Sequence, residues 1–576
     1  MEARKASLVF VLYALVAFCW LGAPMIGNIN EPVWSLGQFN LLFDGDHAYG
    51  MIREYVLAYP RRVLGSVESR QSTGYLKQQL ADLGYEISYT QFDSRIHGRT
   101  QVGRNVLAYK PGNSPQILAV VAHYDTAPTT DQGAMENGSG VGVMLELARV
   151  FSKSPAKRSL LFIATDGAEF GQLGARDIVE NYPDRDRIVA VLSLDHVSVS
   201  ALGAFSLDTT GQFAGYTPPW LREISRMAGE MENLPAQGAG GLEEHFQRAV
   251  PISWTDQGPF LNAGIPAINL SSISEKDESR ARAIYHTAAD VIQNLYAESV
   301  TRYGRVAERI VRALDDLPQI PGQSMGCFRL GNTSYVSPRT MTFLHWVTFL
   351  PFFVLLVACL ADYHGAFSVG RIERELLAYV CTSLPLLLLY YPIGLFRKLR
   401  MVPEYTLYPA TPRDPVLVHP SWGVIGGILS AGLAAAIGLY FIFRYVKRKL
   451  PPPDFHVSKA VLMVIFLAVI VLALRYNSYW AVTFFSLPAW IWGTVGPGGR
   501  TARRLVYWVL IVAAGIACYV FVARSADFLY LGWNFIWYVV LALSCGLFTP
   551  AAYILAAVTI AIGIRFLAIQ LQRSDA

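Results

Sequence analysis

Cysteine is scarce in this chain, and its placement matters more than its number. There are six in 576 residues. Cys19, Cys359, Cys381, Cys518 and Cys545 lie in apolar runs, which leaves Cys327 alone in the polar part. No internal disulfide framework can hold that part together. Charge is sparse too, at 16% of residues. The formal net charge of +5 is small, and much of the basic excess flanks apolar runs, at Arg444, Lys447, Arg448, Lys449, Arg500, Arg503 and Arg504. That placement fits the cytoplasmic flanks of membrane helices and argues against a nucleic-acid partner. The chain has no internal repeat, no long low-complexity segment and no transport motif. No Ala-x-Ala cleavage pattern closes the first apolar run, where Gly22, Ala23 and Pro24 stand.

What is present divides unevenly. Hydrophobic residues make up 53% of the chain, concentrated at its two ends. Residues 1–26 read as an N-terminal anchor: Arg4 and Lys5 precede an apolar run from Ser7 to Ile26, roughly 20 residues, enough to cross a bilayer. Residues 27–338 read as a domain of mixed charge. Residues 339–576 read as an all-α polytopic membrane domain with about eight spans. These are expected near 341–361, 375–396, 421–443, 458–475, 479–496, 505–523, 528–548 and 551–570. With Arg4 and Lys5 inside, the polar domain lies outside the cytoplasm, in a periplasmic, extracellular or lumenal space. Within the spans, Arg475 and Arg565 lie towards ends and are expected to snorkel. His345 and Asn534 are expected to bond neighbouring helices.

The polar domain alternates strand-like and helix-like stretches. Gln116–Ala122, Ser159–Ala164, Ile188–Leu194 and Ile265–Leu270 read as buried strands. Val141–Phe151 reads as a helix with Val141, Met144, Leu145 and Ala148 on one face, and Thr73–Leu83 as another, ended by Gly84. This order predicts an α/β fold, a mostly parallel sheet with flanking helices. Ligands bind such sheets beyond the carboxyl ends of the strands.

Several metal-capable side chains fall there. His123 ends a strand, and Asp125, two residues on, is placed to hold the imidazole's second nitrogen. Glu136, Glu169, Asp195 and His286 come later in the chain. Alone, each has a plainer reading as a solvated side chain, a cap or a hydrogen-bonded histidine. Together, two histidines and three carboxylates suit a pair of zinc ions. Glu136 is placed to bridge, with His123 and Asp195 completing one site and Glu169 and His286 the other. Two such metals activate a water and polarise a carbonyl together.

The segments AHYDT (122–126), GAMENGSG (133–140), DGAEFGQLGA (166–175), LSLDHV (192–197), TDQGPFLNAGIPAINL (255–270) and YHTAAD (285–290) resemble, in order, those of the di-zinc aminopeptidase family, peptidase family M28, which includes glutaminyl cyclases. The resemblance implies metal positions at His123, Glu136, Glu169, Asp195 and His286, with Asp125 as partner of the first histidine. It implies a peptide or amide substrate. Three departures stand out. Glu136 occupies a position usually held by Asp. Gln257 replaces a frequent His. Ala168 stands where the family places its general base, with Asp166 and Glu136 as weak candidates to replace it. A metallo-aminopeptidase-like hydrolase with weak or altered chemistry is one expectation. A non-catalytic assembly subunit is the alternative, since the layout also resembles the peptidase-like subunit of the glycolipid-anchor transamidase. Membrane-protein partners would accompany that reading. A transporter has no sequence support beyond its spans.

Overall fold

The structure is a computed structural model. It describes residues 2–29, 36–96, 99–197, 201–212, 214–274, 278–321, 326–331, 334–403, 415–494, 509, 534–545 and 550–571. Two compact units emerge, one built on Gly27–Pro338, the other on Met1–Ile26 with Arg339–Tyr405 and Pro415–Ala576.

The first unit is organised by an eight-stranded sheet. Its strands are β1 (Glu86–Ile96), β2 (Arg99–Lys110), β3 (Ser114–His123), β4 (Arg158–Thr165), β5 (Ile188–Leu194), β6 (Leu202–Asp208), β7 (Ala236–Gln237) and β8 (Ala267–Ser274). In space they run β1-β2-β4-β3-β5-β8-β6-β7. The central pairs β4–β3, β3–β5 and β5–β8 are parallel, as is β6–β7. The pairs β1–β2, β2–β4 and β8–β6 are antiparallel.

Central strands carry near-continuous apolar runs because both faces are covered. Side chains alternate between faces. Leu118, Val120 and Ala122 pack with Val141, Met144, Leu145 and Ala148 in one cluster. Ile117, Ala119 and Val121 pack with Ile178 and Phe260 in another. The helix read as Val141–Phe151 spans Ser139–Ser152. The helix read as Thr73–Leu83 starts earlier, at Val67, because Ser66 caps it by accepting the Ser69 N–H at 2.9 Å. Gly84 beyond its end has φ +86°, a conformation that favours glycine.

The second unit is helical. Five helices among the described residues are long and apolar enough to cross a membrane: Pro338–Asp362, Val369–Lys398, Trp422–Lys449, Phe455–Tyr476 and Pro550–Ile569. These correspond to five of the expected spans, with some ends shifted. The expected 479–496 span is the helix Ser478–Thr494, 17 residues long with Pro488 inside. Of 528–548, the helix Phe535–Cys545 is described, and 505–523 lies almost wholly outside the described residues. Glu2–Gly27 is helical. Its Tyr13 hydroxyl donates to the Trp490 carbonyl at 3.3 Å, and its Trp20 indole donates to Thr348 Oγ1 at 3.0 Å.

Polar groups in this unit pair across helices. His345 Nδ1 lies 2.8 Å from Ser478 Oγ, and Asn534 donates to the Val418 carbonyl at 3.2 Å. Arg475 is exposed. Arg565 does not snorkel. Its guanidinium makes two bonds to the buried Glu375, Nε to Oε1 at 3.0 Å and Nη2 to Oε2 at 2.8 Å. A carboxylate on a facing helix satisfies the charge locally, so the side chain has no need to reach water.

Candidate metal centre

The parallel register of the central sheet sets the site. His123 pairs with Thr165 across β3 and β4, and Val121 with Ser193 across β3 and β5. The three strands therefore end side by side, and the loops beyond them converge. His123 is the last residue of β3, Glu169 lies in the turn Ala168–Phe170 after β4, and Asp195 directly succeeds β5. Glu136 lies in the turn Ala134–Gly138 before the helix Ser139–Ser152. His286 comes just after the helix Glu278–Ile284 and has φ +54°. All five side chains are buried.

One ligand atom each from His123, Glu136 and Glu169 lie within 4.8 Å of one another. His123 Nε2 is 3.2 Å from Glu136 Oε1 and 3.4 Å from Asp195 Oδ1. His286 Nε2 is 3.0 Å from Glu169 Oε1. The contacts thus form two groups, Asp195–His123–Glu136 and Glu169–His286, brought together where Glu136 and Glu169 offer ligand atoms within 4.8 Å of one another.

Asp125 lies behind the first histidine. His123 Nδ1 is 3.4 Å from Asp125 Oδ1 and 3.2 Å from the Asp125 carbonyl. The same carboxylate accepts the N–H of Ala168 at 3.0 Å and of Glu169 at 3.2 Å. One buried carboxylate thus fixes the imidazole and the turn that carries Glu169.

Asp166 is engaged elsewhere. Its Oδ2 accepts the Tyr124 hydroxyl at 2.9 Å, the Arg104 N–H at 3.2 Å and the Ser69 hydroxyl at 3.4 Å. Burial, then the charge of Asp125, pushes its pKa up to about 8. Gln257 is buried and donates to Ser253 Oγ at 3.0 Å and to the Thr210 carbonyl at 3.3 Å. Asp256 beside it accepts the Thr165 hydroxyl at 2.5 Å.

Three residues around the ligands escape a reading of the sequence. His196 Nδ1 lies 3.2 Å from Glu136 Oε2; adjacency to Asp195 was its signal. Asp290 accepts the N–H of Met135 at 2.7 Å and of Glu136 at 3.1 Å. Its signal was its place at the end of YHTAAD. Arg62, fully buried, has no sequence signal at all.

The donor set fits zinc, which takes imidazole nitrogen and carboxylate oxygen. The charge balance fits as well. Asp125, Glu136, Asp166, Glu169, Asp195, Asp256 and Asp290 are all buried, and so many carboxylates need cations close by. Burial, then the neighbouring Glu136, pushes Asp195 up to about 7. Burial opposes the charge of His123, yet hydrogen bonds with Asp125, Asp195 and Glu136 hold it well above the usual imidazole range. A cation held among these groups would favour their charged carboxylate forms.

Gly133 shapes the Glu136 loop. It has φ +58°, and a Cβ there would sit 2.7 Å from the Glu136 carbonyl oxygen and 2.4 Å from Thr126 Cγ2. Gly133→Ala should cost at least about 1–2 kcal/mol for the left-handed backbone alone. Chemical denaturation of the two proteins measures this; an unchanged midpoint and slope would contradict it.

Residues 105–311 match the model of peptidase family M28. The alkaline phosphatase isozyme conversion protein of Escherichia coli (strain K12) is 27% identical over 271 residues, 42% of this chain and 76% of that protein. Aminopeptidase YwaD of Bacillus subtilis (strain 168) is 31% identical over 213 residues, 35% of this chain and 43% of that protein. BOS complex subunit NCLN of Homo sapiens is 27% identical over 225 residues, 36% of this chain and 39% of that protein. The chain thus spans less than half of the latter two. Among solved structures, a zinc aminopeptidase from Bacillus subtilis aligns with 49% of this chain and 98% of its own, at 18% identity and a TM-score of 0.42.

Proposed function

We propose that this chain, whose residues 105–311 match the model of peptidase family M28, is an integral membrane, zinc-binding aminopeptidase-like protein with weak hydrolytic chemistry. The observation that carries the reading is the buried convergence of His123, Glu136 and Glu169. We assign two zinc ions. His123, Glu136 and Asp195 would hold one, and Glu136, Glu169 and His286 the other. Bound there, zinc would supply Lewis acidity and an activated water.

The chain's own residues govern orientation and proton transfer. Asp125 keeps the His123 Nδ1 face occupied, so that Nε2 points to the ligand cluster. A peptide or amide substrate would meet the open side of this cluster. Proton transfer is the weak step. Ala168 has no basic atom, and Asp166 is committed to Tyr124, Arg104 and Ser69. The loss of a positioned base typically costs about 10²–10⁴-fold in rate. The helices long and apolar enough to span a bilayer anchor the protein in lipid. The flanking Arg4 and Lys5 favour an extracytoplasmic position for the peptidase-like unit.

A second reading has one specific observation in its favour. Ala168 removes the base while the donors persist, which suits a binding or assembly subunit with membrane-protein partners. The similarity to a BOS complex subunit accords with it. Turnover separates the two. Zinc-loaded protein is assayed with aminoacyl amides and unblocked peptides. Slow zinc-dependent release of the N-terminal residue supports the first reading; zinc binding without any turnover supports the second.

A further inference from the structure

We infer that Arg62 and Asp290 are positioning residues that brace three ligand-bearing loops, so that a metal meets its ligands already in place. The inference rests on the zinc reading of the site.

The segments at 124–126, 132–137 and 286–290 lie outside the sheet strands, so the ladder that pairs His123 with Thr165 does not fix the spacing between them. Arg62 ties the first two. Its Nε donates to the Tyr124 carbonyl at 2.7 Å, between His123 and Asp125. Its Nη1 donates to the carbonyls of Gln132 and Tyr59, each at 2.8 Å, and its Nη2 to that of Gly133 at 3.1 Å. A buried guanidinium is costly unless its donors are satisfied, and here four main-chain oxygens satisfy it. Three of them belong to ligand loops.

Asp290 ties the second loop to the third. It lies four residues beyond His286 and holds the N–H groups of Met135 and Glu136. The cation therefore grips the carbonyls at the start of the Glu136 loop, and the carboxylate grips the amides at its end. Two neutral bonds run alongside: Ile292 N–H to Gln132 Oε1 at 2.9 Å, and Thr129 Oγ1 to the His286 carbonyl at 2.7 Å. Charge-assisted bonds are about twice as strong as neutral ones, so Arg62 and Asp290 dominate the set. Neither residue touches a metal-binding atom. Their effect passes through the main chain of the residues that do.

The test is zinc affinity of the full chain in detergent, by competition with a chelator of known affinity, beside the melting temperature of the zinc-free protein. In Asp290→Asn the side chain keeps its size but accepts only one of the two amides. Zinc binding should weaken by about 10–100-fold, the usual effect of losing a residue that orients ligands. Arg62→Lys keeps the charge and loses the planar fork; it should move affinity the same way, and it carries the test if Asp290→Asn does not fold. Unchanged zinc affinity in a folded variant overturns the inference, even with a lower melting temperature, because the residues would then be scaffold only. Wild-type protein that takes up no zinc overturns the metal reading and the brace with it, and the wild-type control separates that result from the others.

Discussion

Ala168→Glu should raise hydrolysis of an aminoacyl amide by about 10²–10⁴-fold, the range expected for one positioned base. The backbone there is ready for it. The Ala168 N–H is bound to Asp125 Oδ1 at 3.0 Å, and the next residue, Glu169, reaches His286 at 3.0 Å. Adding a carboxylate at 168 takes no donor away from the cluster. Ala168 is buried, so some local adjustment is required, and Ala168→Gln serves as the control of equal size without basicity. Rates are compared at saturating zinc. A gain in the Glu variant and none in the Gln variant would mean the site is otherwise competent. If a folded, zinc-loaded Glu variant shows no gain, the hydrolytic reading loses its main support and the assembly reading gains it.

Glu375→Ala should destabilise the membrane unit by about 3–5 kcal/mol, the cost of leaving a buried charge without its partner. Glu375 has a side-chain exposure of 3% and Arg565 of 11%, and their two bonds join the helices Val369–Leu388 and Pro550–Leu571. Removing the carboxylate leaves the largely buried guanidinium without its partner. The double variant Glu375→Leu/Arg565→Leu should recover much of the loss, since apolar residues of similar volume often replace such pairs at little cost. Melting in detergent measures both. Equal stability of wild type and Glu375→Ala would show that water or lipid headgroups already serve Arg565.

How much of the fold and site was legible in the residues depends on what each residue bonds to. Ile188–Leu194 is a strand with the bounds expected of it, because a strand buried on both faces is an unbroken apolar run. The hairpin Glu86–Ile96 and Arg99–Lys110 was not read: its outer part is largely exposed and polar, and so lacks an apolar signature. Ligand candidates were legible because donor side chains at strand ends form a pattern along the chain. Arg62 was not, because it addresses main-chain carbonyls, which leave no trace in side-chain identity. Arg565 departs from the snorkelling expectation because its partner lies 190 positions away, and a position near a helix end cannot reveal what faces it. His196 has no spacing signal of its own beside Asp195, although the longer Glu136 reaches it.

Zinc content of the purified protein, measured beside a His123→Ala variant, tests the central claim most directly. About two zinc ions per chain in the wild type, as a two-metal site requires, and clearly fewer in the folded variant is the result predicted. Folded wild-type protein that holds no zinc after incubation with the metal would contradict the account and leave a peptidase-like scaffold in its place.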